Sequence, residues 1–412
     1  MSSSPSISPP KLRVLRVITS LDPAFGGPPQ GIRNLAPDLE KKGIVQDVAA
    51  FDHANQGESV PGIREVFQLG PATTSLNIAP KFEGWLAKNL SNYDAVIVHG
   101  IWQYHTWQVR QEIEKRREKG AAPAFYIYPH GMLDPWFQQD PSRRLKAWRN
   151  KIYWKFVEKR TINAADAVLF TCEQERVLAS TTFPGYAATE KTVGYGVPEP
   201  PAATEEMGRA FHAACPELGD RPYLLFISRI DPKKGIDLLI DSYLQHLHEG
   251  SDLPALVICG PHETEFARAM RAKVDNFPLS EKLGKPNIFF PGMVQGEAKW
   301  GALHGAEAMI LPSHQENFGI AVVEALACGK PVLITDKVNI WREIAEAEGG
   351  FVETDTLEGT SKLLTTWTNL SAEDRAHHSR QALAVYQSKF GIDQATTTLA
   401  NYLLQKHASD PK

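Results

Sequence analysis

The segment Pro312-Ser313-His314-Gln315-Glu316-Asn317-Phe318-Gly319-Ile320-Ala321-Val322-Val323-Glu324-Ala325-Leu326-Ala327-Cys328-Gly329-Lys330-Pro331-Val332 follows an apolar run, Ala308-Met309-Ile310-Leu311. The run reads as a strand. Gly329 supplies the left-handed residue that closes a helix and Pro331 cannot continue one, so the whole reads as strand, loop, helix. Glu316 falls in the loop and Glu324, eight positions on, in the helix. With a helix start near Phe318, a rise of ~1.5 Å per residue carries Glu324 roughly 9 Å along the axis, about the span from a ribose across a diphosphate to a sugar. Backbone N–H groups around Asn317, Phe318 and Gly319 would lie between the carboxylates, where the helix dipole favours an anion. Taken singly, each glutamate reads first as a solvated surface charge.

Residue by residue, this segment resembles the Glu-x7-Glu signature of the family 4 retaining glycosyltransferases. The likeness covers Pro-Ser before the first Glu, Phe-Gly after it, and Glu-Ala-x-Ala-x-Gly-x-Pro-Val at the end. A second stretch, Ser228-Arg229-Ile230-Asp231-Pro232-Lys233-Lys234-Gly235, is similar to the family segment whose Arg and Lys hold the donor diphosphate. On the residues alone, Arg229 and Lys234 flank a strand-to-helix turn. They are either two cations aimed at one anion or solvated charges. The resemblance implies an α/β GT-B fold, two Rossmann-like doubly wound domains facing a central cleft, with a C-terminal helix crossing back to the first domain.

The rest of the chain is compatible with that expectation. Its 412 residues exceed one ordinary core, and 42% hydrophobic with 22% charged residues fits a globular protein. A net charge of −4 gives no reason to expect nucleic acid. No apolar run approaches a membrane span and the N-terminus lacks a signal-peptide core, which makes the cytoplasm the default. Cys172, Cys215, Cys259 and Cys328 are far apart, so reduced structural thiols are expected. Residues 1–10, rich in Ser and Pro, read as a disordered tail. Residues 11–196 read as the acceptor-binding domain, 197–385 as the nucleotide-sugar domain and 386–412 as the returning helix. A Gly- and Pro-rich linker surrounds residues 194–201.

In the first domain a strand from Leu12 meets the turn Phe25-Gly26-Gly27-Pro28-Pro29. Gly26 and Gly27 would admit a ligand to the backbone, or serve a turn sterically. By resemblance they form the glycine loop near sugar and diphosphate, although the Lys-x-Gly-Gly form of glycogen synthases is absent. Two further strands end in histidine, at His99 and at His130. A strand-end histidine is either held by backbone or functional; by resemblance His130 contacts the donor sugar beside the reacting carbon. His99, Trp102 and Trp136 are candidates for an acceptor wall, as are Tyr104 and Trp107, with domain packing as the alternative. Residues 143–160 place Leu145, Trp148, Ile152 and Phe156 at helical spacing among many cations. The preferred reading packs that stripe on the sheet, and the alternative is peripheral contact with an anionic membrane. In the second domain, Gly292, Met293 and Val294 match the loop where family members hold the base through backbone groups.

A departing diphosphate needs its charge neutralised, and the chain has no Asp-x-Asp metal motif. Arg229, Lys234 and a helix N-terminus with Asn317, Phe318, Gly319 and Ile320 would do this without metal or other cofactor. The resemblance implies retention, with Glu316 orienting sugar hydroxyls and Glu324 accepting from ribose. The expected activity moves a sugar from a nucleotide-diphosphate sugar, UDP-glucose by family frequency, to a glycan or lipid-linked acceptor in polysaccharide synthesis. The alternatives are a GT-B sugar-nucleotide epimerase and a non-catalytic sugar-binding protein. Oligomeric state has no signal in the sequence.

Overall fold

The computed structural model describes residues 12–52, 59–73, 76–278 and 287–409; the tail expected at 1–10 lies outside them. The chain forms two compact units, residues 1–196 with 392–412, and residues 197–391. Each is built on a parallel sheet. The first contains β1 (Leu12–Ile18), β2 (Ile44–Ala50), β3 (Ile63–Gln68), β4 (Ala95–His99), β5 (Ala124–Tyr128), β6 (Ala167–Phe170) and β7 (Glu190–Thr192), in the order β3-β2-β1-β4-β5-β6-β7. The second contains β8 (Tyr223–Ile227), β9 (Ala255–Cys259), β10 (Ile288–Gly292), β11 (Ala308–Leu311), β12 (Val332–Thr335) and β13 (Gly350–Glu353), in the order β10-β9-β8-β11-β12-β13.

Both orders reverse at one point, between β1 and β4 and between β8 and β11. At such a switch point the connections leave in opposite directions and open a crevice beyond the carboxyl ends of the strands. The pairings Val17↔Val98 and Met309↔Leu225 set the register there. Central strands are covered on both faces, which is why β4, β6, β9, β11 and β12 are buried at every position and read as apolar runs. In β1 the alternation divides the core: Leu15 and Val17 join Val98, Ile127 and Phe170 on one face, while Leu12 and Val14 join Ile97 and Leu169 on the other.

The last helix, Ile392–Ser409, lays Ala395, Leu399, Ala400 and Leu403 on that second face. It therefore completes the core of the first unit. The expected boundary at 385/386 is corrected to 391/392, because Tyr386 donates to the Val197 carbonyl at 3.0 Å and Phe390 meets Phe318 edge-on, both inside the second unit.

Residues 143–160 depart further from expectation. They fold as a helix Arg144–Tyr153, a π-turn Trp154–Glu158 and the start of a helix Lys159–Ala164. The inward face carries Ala147, Asn150, Trp154 and Glu158, with Trp154 stacked on Phe183 at 4.7 Å. The stripe Leu145, Trp148, Ile152 and Phe156 faces outward instead of packing on the sheet. Trp154, stacked on Phe183 and packed against Trp102, takes the core contact.

Burial pushes the Glu158 carboxyl up to about 8, against small opposing contributions from the Trp102 backbone and Arg110. A carboxyl whose folded pKa exceeds its unfolded value favours folding most below the unfolded pKa and loses that contribution as pH rises through the folded one. Wild-type stability is therefore expected to decline between about pH 4.5 and 8. Glu158→Gln should flatten that slope, gaining on the order of a few kcal/mol at pH 8.5 and little at pH 5 in paired urea titrations.

Candidate active site

In the first unit, the carboxyl ends of β1, β4 and β5 converge on a cavity of about 180 Å³ whose lining includes Thr19, Phe25, Pro28, His99, Gln103 and His130. Gly26 takes φ +99°, a backbone region that L side chains rarely adopt, and caps the helix Gly27–Lys41; its Cβ position is open space. The glycine is thus required by conformation at the rim of this cavity, not by crowding. Tyr195 donates to the Gly27 carbonyl at 2.5 Å and fixes the helix start.

Behind the cavity lies a row of polar groups. Arg16, 1% exposed in the middle of β1, donates to Gln46 Oε1 at 2.6 Å and lies 3.1 Å from His99 Nε2. His99 Nδ1 is 2.9 Å from His130 Nε2. A guanidinium can only donate, so His99 Nε2 accepts, its proton lies on Nδ1, and His130 accepts in turn. His130 is left with its own proton on Nδ1. Burial, then the Arg16 charge, lowers its pKa to about 3, and the same causes hold His99 well below the usual imidazole range. Burial lowers Arg16 as well, to about 10, which leaves it cationic. His130 is therefore a neutral donor of fixed tautomer.

The loop that carries it is strained and tied down. His130 has φ +52°. The buried Glu175 carboxylate accepts from Gly131 N at 2.5 Å, from Thr171 N at 2.7 Å and from Thr171 Oγ1 at 2.6 Å. The Tyr128 ring stacks on His130 at 4.8 Å.

In the second unit, the turn after β8 and the loop after β11 form one assembly at the switch point. The Lys233 carbonyl accepts from His314 N at 2.9 Å and from Ser313 Oγ at 3.0 Å. Gly235, at φ +64°, lies against the Pro312 carbonyl so closely that no Cβ fits. These contacts bring the Lys234 ammonium onto the Glu316 carboxylate in a largely buried ion pair. Burial alone would raise the Glu316 pKa, but the Lys234 charge and hydrogen bond outweigh it and the net shift is downward. Glu316 is ionised. Arg229, on the same turn, is exposed.

The helix spans Ile320–Ala327, with Gly319 left-handed at φ +78° as its cap, two residues later than the expected start. First-turn amides at Ile320 and Ala321 have no intrahelical acceptor, and Glu324 lies about 6 Å beyond the helix start. Glu324 pairs with Lys299 at 2.6 Å. The Phe318 ring is packing material, and Asn317 Oδ1 accepts from the buried Asn339 at 3.5 Å. Gly292, at φ +84°, has the His262 ring against its Cβ position; beside it Met293 is exposed and Val294 buried.

Two family descriptions cover most of the chain: "Glycosyl transferase 4-like domain" matches residues 26–196 and "Glycosyl transferases group 1" matches residues 209–382. A D-inositol 3-phosphate glycosyltransferase of Kribbella flavida is 27% identical over 88% of this chain and 86% of that protein. The chain belongs to the family 4 glycosyltransferases. Another D-inositol 3-phosphate glycosyltransferase, from Streptomyces bingchenggensis, is 30% identical over 43% of this chain, an alignment that spans 40% of that protein's length. HepE of Anabaena, solved with UDP and glucose, superposes with a TM-score of 0.69 at 15% identity, covering 96% of this chain and 100% of that one. The fold is GT-B.

In this glycosyltransferase the structure gathers His99, His130 and the glycine turn in one unit, and Lys234, Glu316, Gly319 and Ile320 in the other. Of the aromatic acceptor candidates, Trp102 lines a cavity of about 260 Å³ together with Phe137 and Asn150. Trp102 packs on Trp154 and Phe183 and donates to the Met132 carbonyl at 3.4 Å, and Trp136 meets Phe137 edge-on. Arg16, Glu175, Lys299 and Asn339 were missed by the sequence reading. Arg16 had a usable signal: an arginine inside a central strand of a parallel sheet is covered on both faces, so it must be buried. Lys299 had none.

Proposed function

We propose that the chain is a retaining, metal-independent glycosyltransferase that takes its sugar from a UDP-sugar, UDP-glucose first. The acceptor is a glycan or lipid-linked molecule, and the setting is polysaccharide synthesis in the cytoplasm or at the inner face of a membrane. The observation that carries this reading is the Lys234–Glu316 pair beside the N-terminus of Ile320–Ala327. One oxyanion-binding cation, one ionised carboxylate and a row of helix amides meet in a few ångströms, which suits a diphosphate next to a hydroxyl-bearing sugar. The UDP and glucose in the HepE structure support this donor class by analogy of fold.

Lys234 has three N–H donors. One serves Glu316 and the others face the diphosphate with Arg229. Glu316 accepts from sugar hydroxyls, Glu324 from ribose, and His130 donates Nδ1–H to a sugar oxygen. The bond from the anomeric carbon to the β-phosphate oxygen breaks, the acceptor oxygen bonds to that carbon from the same face, and the departing phosphate takes the acceptor's proton. The charge that accumulates on the leaving group is met by preorganised donors, which is where such sites gain most of their rate.

The test is a thermal-shift screen with UDP-, GDP- and ADP-sugars under a metal chelator, followed by NMR of the product anomer. Saturation at ~100 times the dissociation constant should stabilise by about 2.7 kcal/mol. A shift with UDP-sugar under chelation and a retained anomer are expected. A shift that requires added metal, or an inverted product, overturns the metal-free or the retaining step.

A further inference from the structure

Beyond the His130 loop the first unit presents a surface that its core does not use. Leu145, Trp148, Ile152 and Phe156 are 86%, 67%, 40% and 72% exposed. At spacings of three and four they share one side of the Arg144–Tyr153 helix and its π-turn, opposite Ala147, Asn150, Trp154 and Glu158. Single exposed apolar residues are ordinary, but a contiguous ridge marks an interaction surface.

Charge selects the occupant. Exposed Arg144, Lys146, Arg149, Lys151 and Lys155 flank the ridge on both sides. The only acid in residues 143–160 is Glu158, which is buried and has its pKa raised. A second copy of this face would bring cation against cation. An anionic lipid leaflet instead meets the cations at its phosphates while the four apolar side chains enter the acyl boundary, with lysine and arginine stems reaching back to the headgroups.

The position of the ridge matters for the chemistry. A cavity of about 260 Å³ lies beside it, lined by Trp102, Phe137, Arg143 and Arg149, and it shares Gln103 and Met132 with the His130 cavity. We propose that residues 144–156 dock this glycosyltransferase on an anionic lipid leaflet through Leu145, Trp148, Ile152 and Phe156, so that the His130 cavity works at the membrane surface. The functional meaning of that placement rests on the proposed transferase reading; the docking itself does not.

The experiment is co-sedimentation of the full chain with phosphatidylcholine vesicles, with and without phosphatidylglycerol, alongside Trp148→Glu/Phe156→Glu. At ~1 kcal/mol for each cation near the surface, five cations predict a preference for the anionic vesicles of more than roughly 100-fold. The double variant should lose at least about tenfold in partitioning, since two aromatic side chains leave the acyl boundary. Equal binding to neutral vesicles, binding to neither, or undiminished binding of the double variant overturns the proposal. So does a dimer in light scattering that the double variant abolishes, which would make a second copy the occupant. A UDP-sugar thermal shift in the same samples separates the two readings: a shift without vesicle binding sinks only the docking, and vesicle binding without a shift sinks only the donor assignment.

Discussion

Lys234→Ala is expected to lower donor turnover by roughly 10²–10³-fold, the cost of removing one preorganised donor from a developing oxyanion. It should also destabilise the fold by ~3 kcal/mol, because the Glu316 carboxylate is left in a largely buried place without its cation. The two effects are separable. Replacing both partners, as Lys234→Met with Glu316→Gln, removes the charges together and should recover most of the stability, since a buried pair and a neutral isostere of similar volume are close in free energy. Turnover should stay at the level of the single variant or below. Urea titration and steady-state rates on wild type, Lys234→Met, Glu316→Gln and the double variant complete the cycle. Turnover that returns with stability would mean that the pair is architectural and that the donor diphosphate is held elsewhere. The downward shift of Glu316 adds a check with a definite sign: its contribution to stability is present above the unfolded carboxyl pKa and is lost as pH falls through the lower folded one. Glu316→Gln should therefore be less acid-sensitive than wild type.

The architecture was legible because parallel strands covered on both faces are largely apolar, with Arg16 in β1 and His99 in β4 as buried polar exceptions. β6 and β11 coincide with the runs that the sequence offers, Ala167–Phe170 and Ala308–Leu311. β7, Glu190–Thr192, is a short polar edge and left no such trace. The loop chemistry was legible in part for a different reason. Gly235 and Gly319 need left-handed backbone, and that need is local. The Lys234–Glu316 contact is not local: it joins residues 82 positions apart through the approach of Gly235 to Pro312, which no window of sequence contains. The 143–160 stripe failed for a third reason. Leu145, Trp148, Ile152 and Phe156 have the same periodicity whether they face a sheet or solvent, and the choice was made by Trp154 fitting against Trp102 and Phe183. Periodicity gives a face, and tertiary packing decides which way it points.

His130→Ala is expected to cost roughly 10²–10³-fold in kcat, again the value of one donor aimed at the reacting sugar. His130→Asn, which keeps an N–H, should recover part of it. The row behind His130 makes a sharper prediction because Arg16 acts on it in two ways, as an obligate donor that sets the tautomers and as a charge that lowers the pKa. Arg16→Gln keeps a donor and removes the charge. Its plateau rate should stay near wild type while the acid limb of the pH profile moves up from about 3; burial is the larger cause of the depression, so the limb rises only part of the way to the ordinary imidazole value. Arg16→Met removes both, freeing His99 to turn its proton toward Nε2, and the plateau itself should fall. A merely structural arginine would lower both variants alike through stability and leave the limb where it was. A wild-type limb near pH 6.5 that His130→Asn abolishes would show instead that His130 titrates as an ordinary imidazole, and the fixed neutral donor would have to be given up.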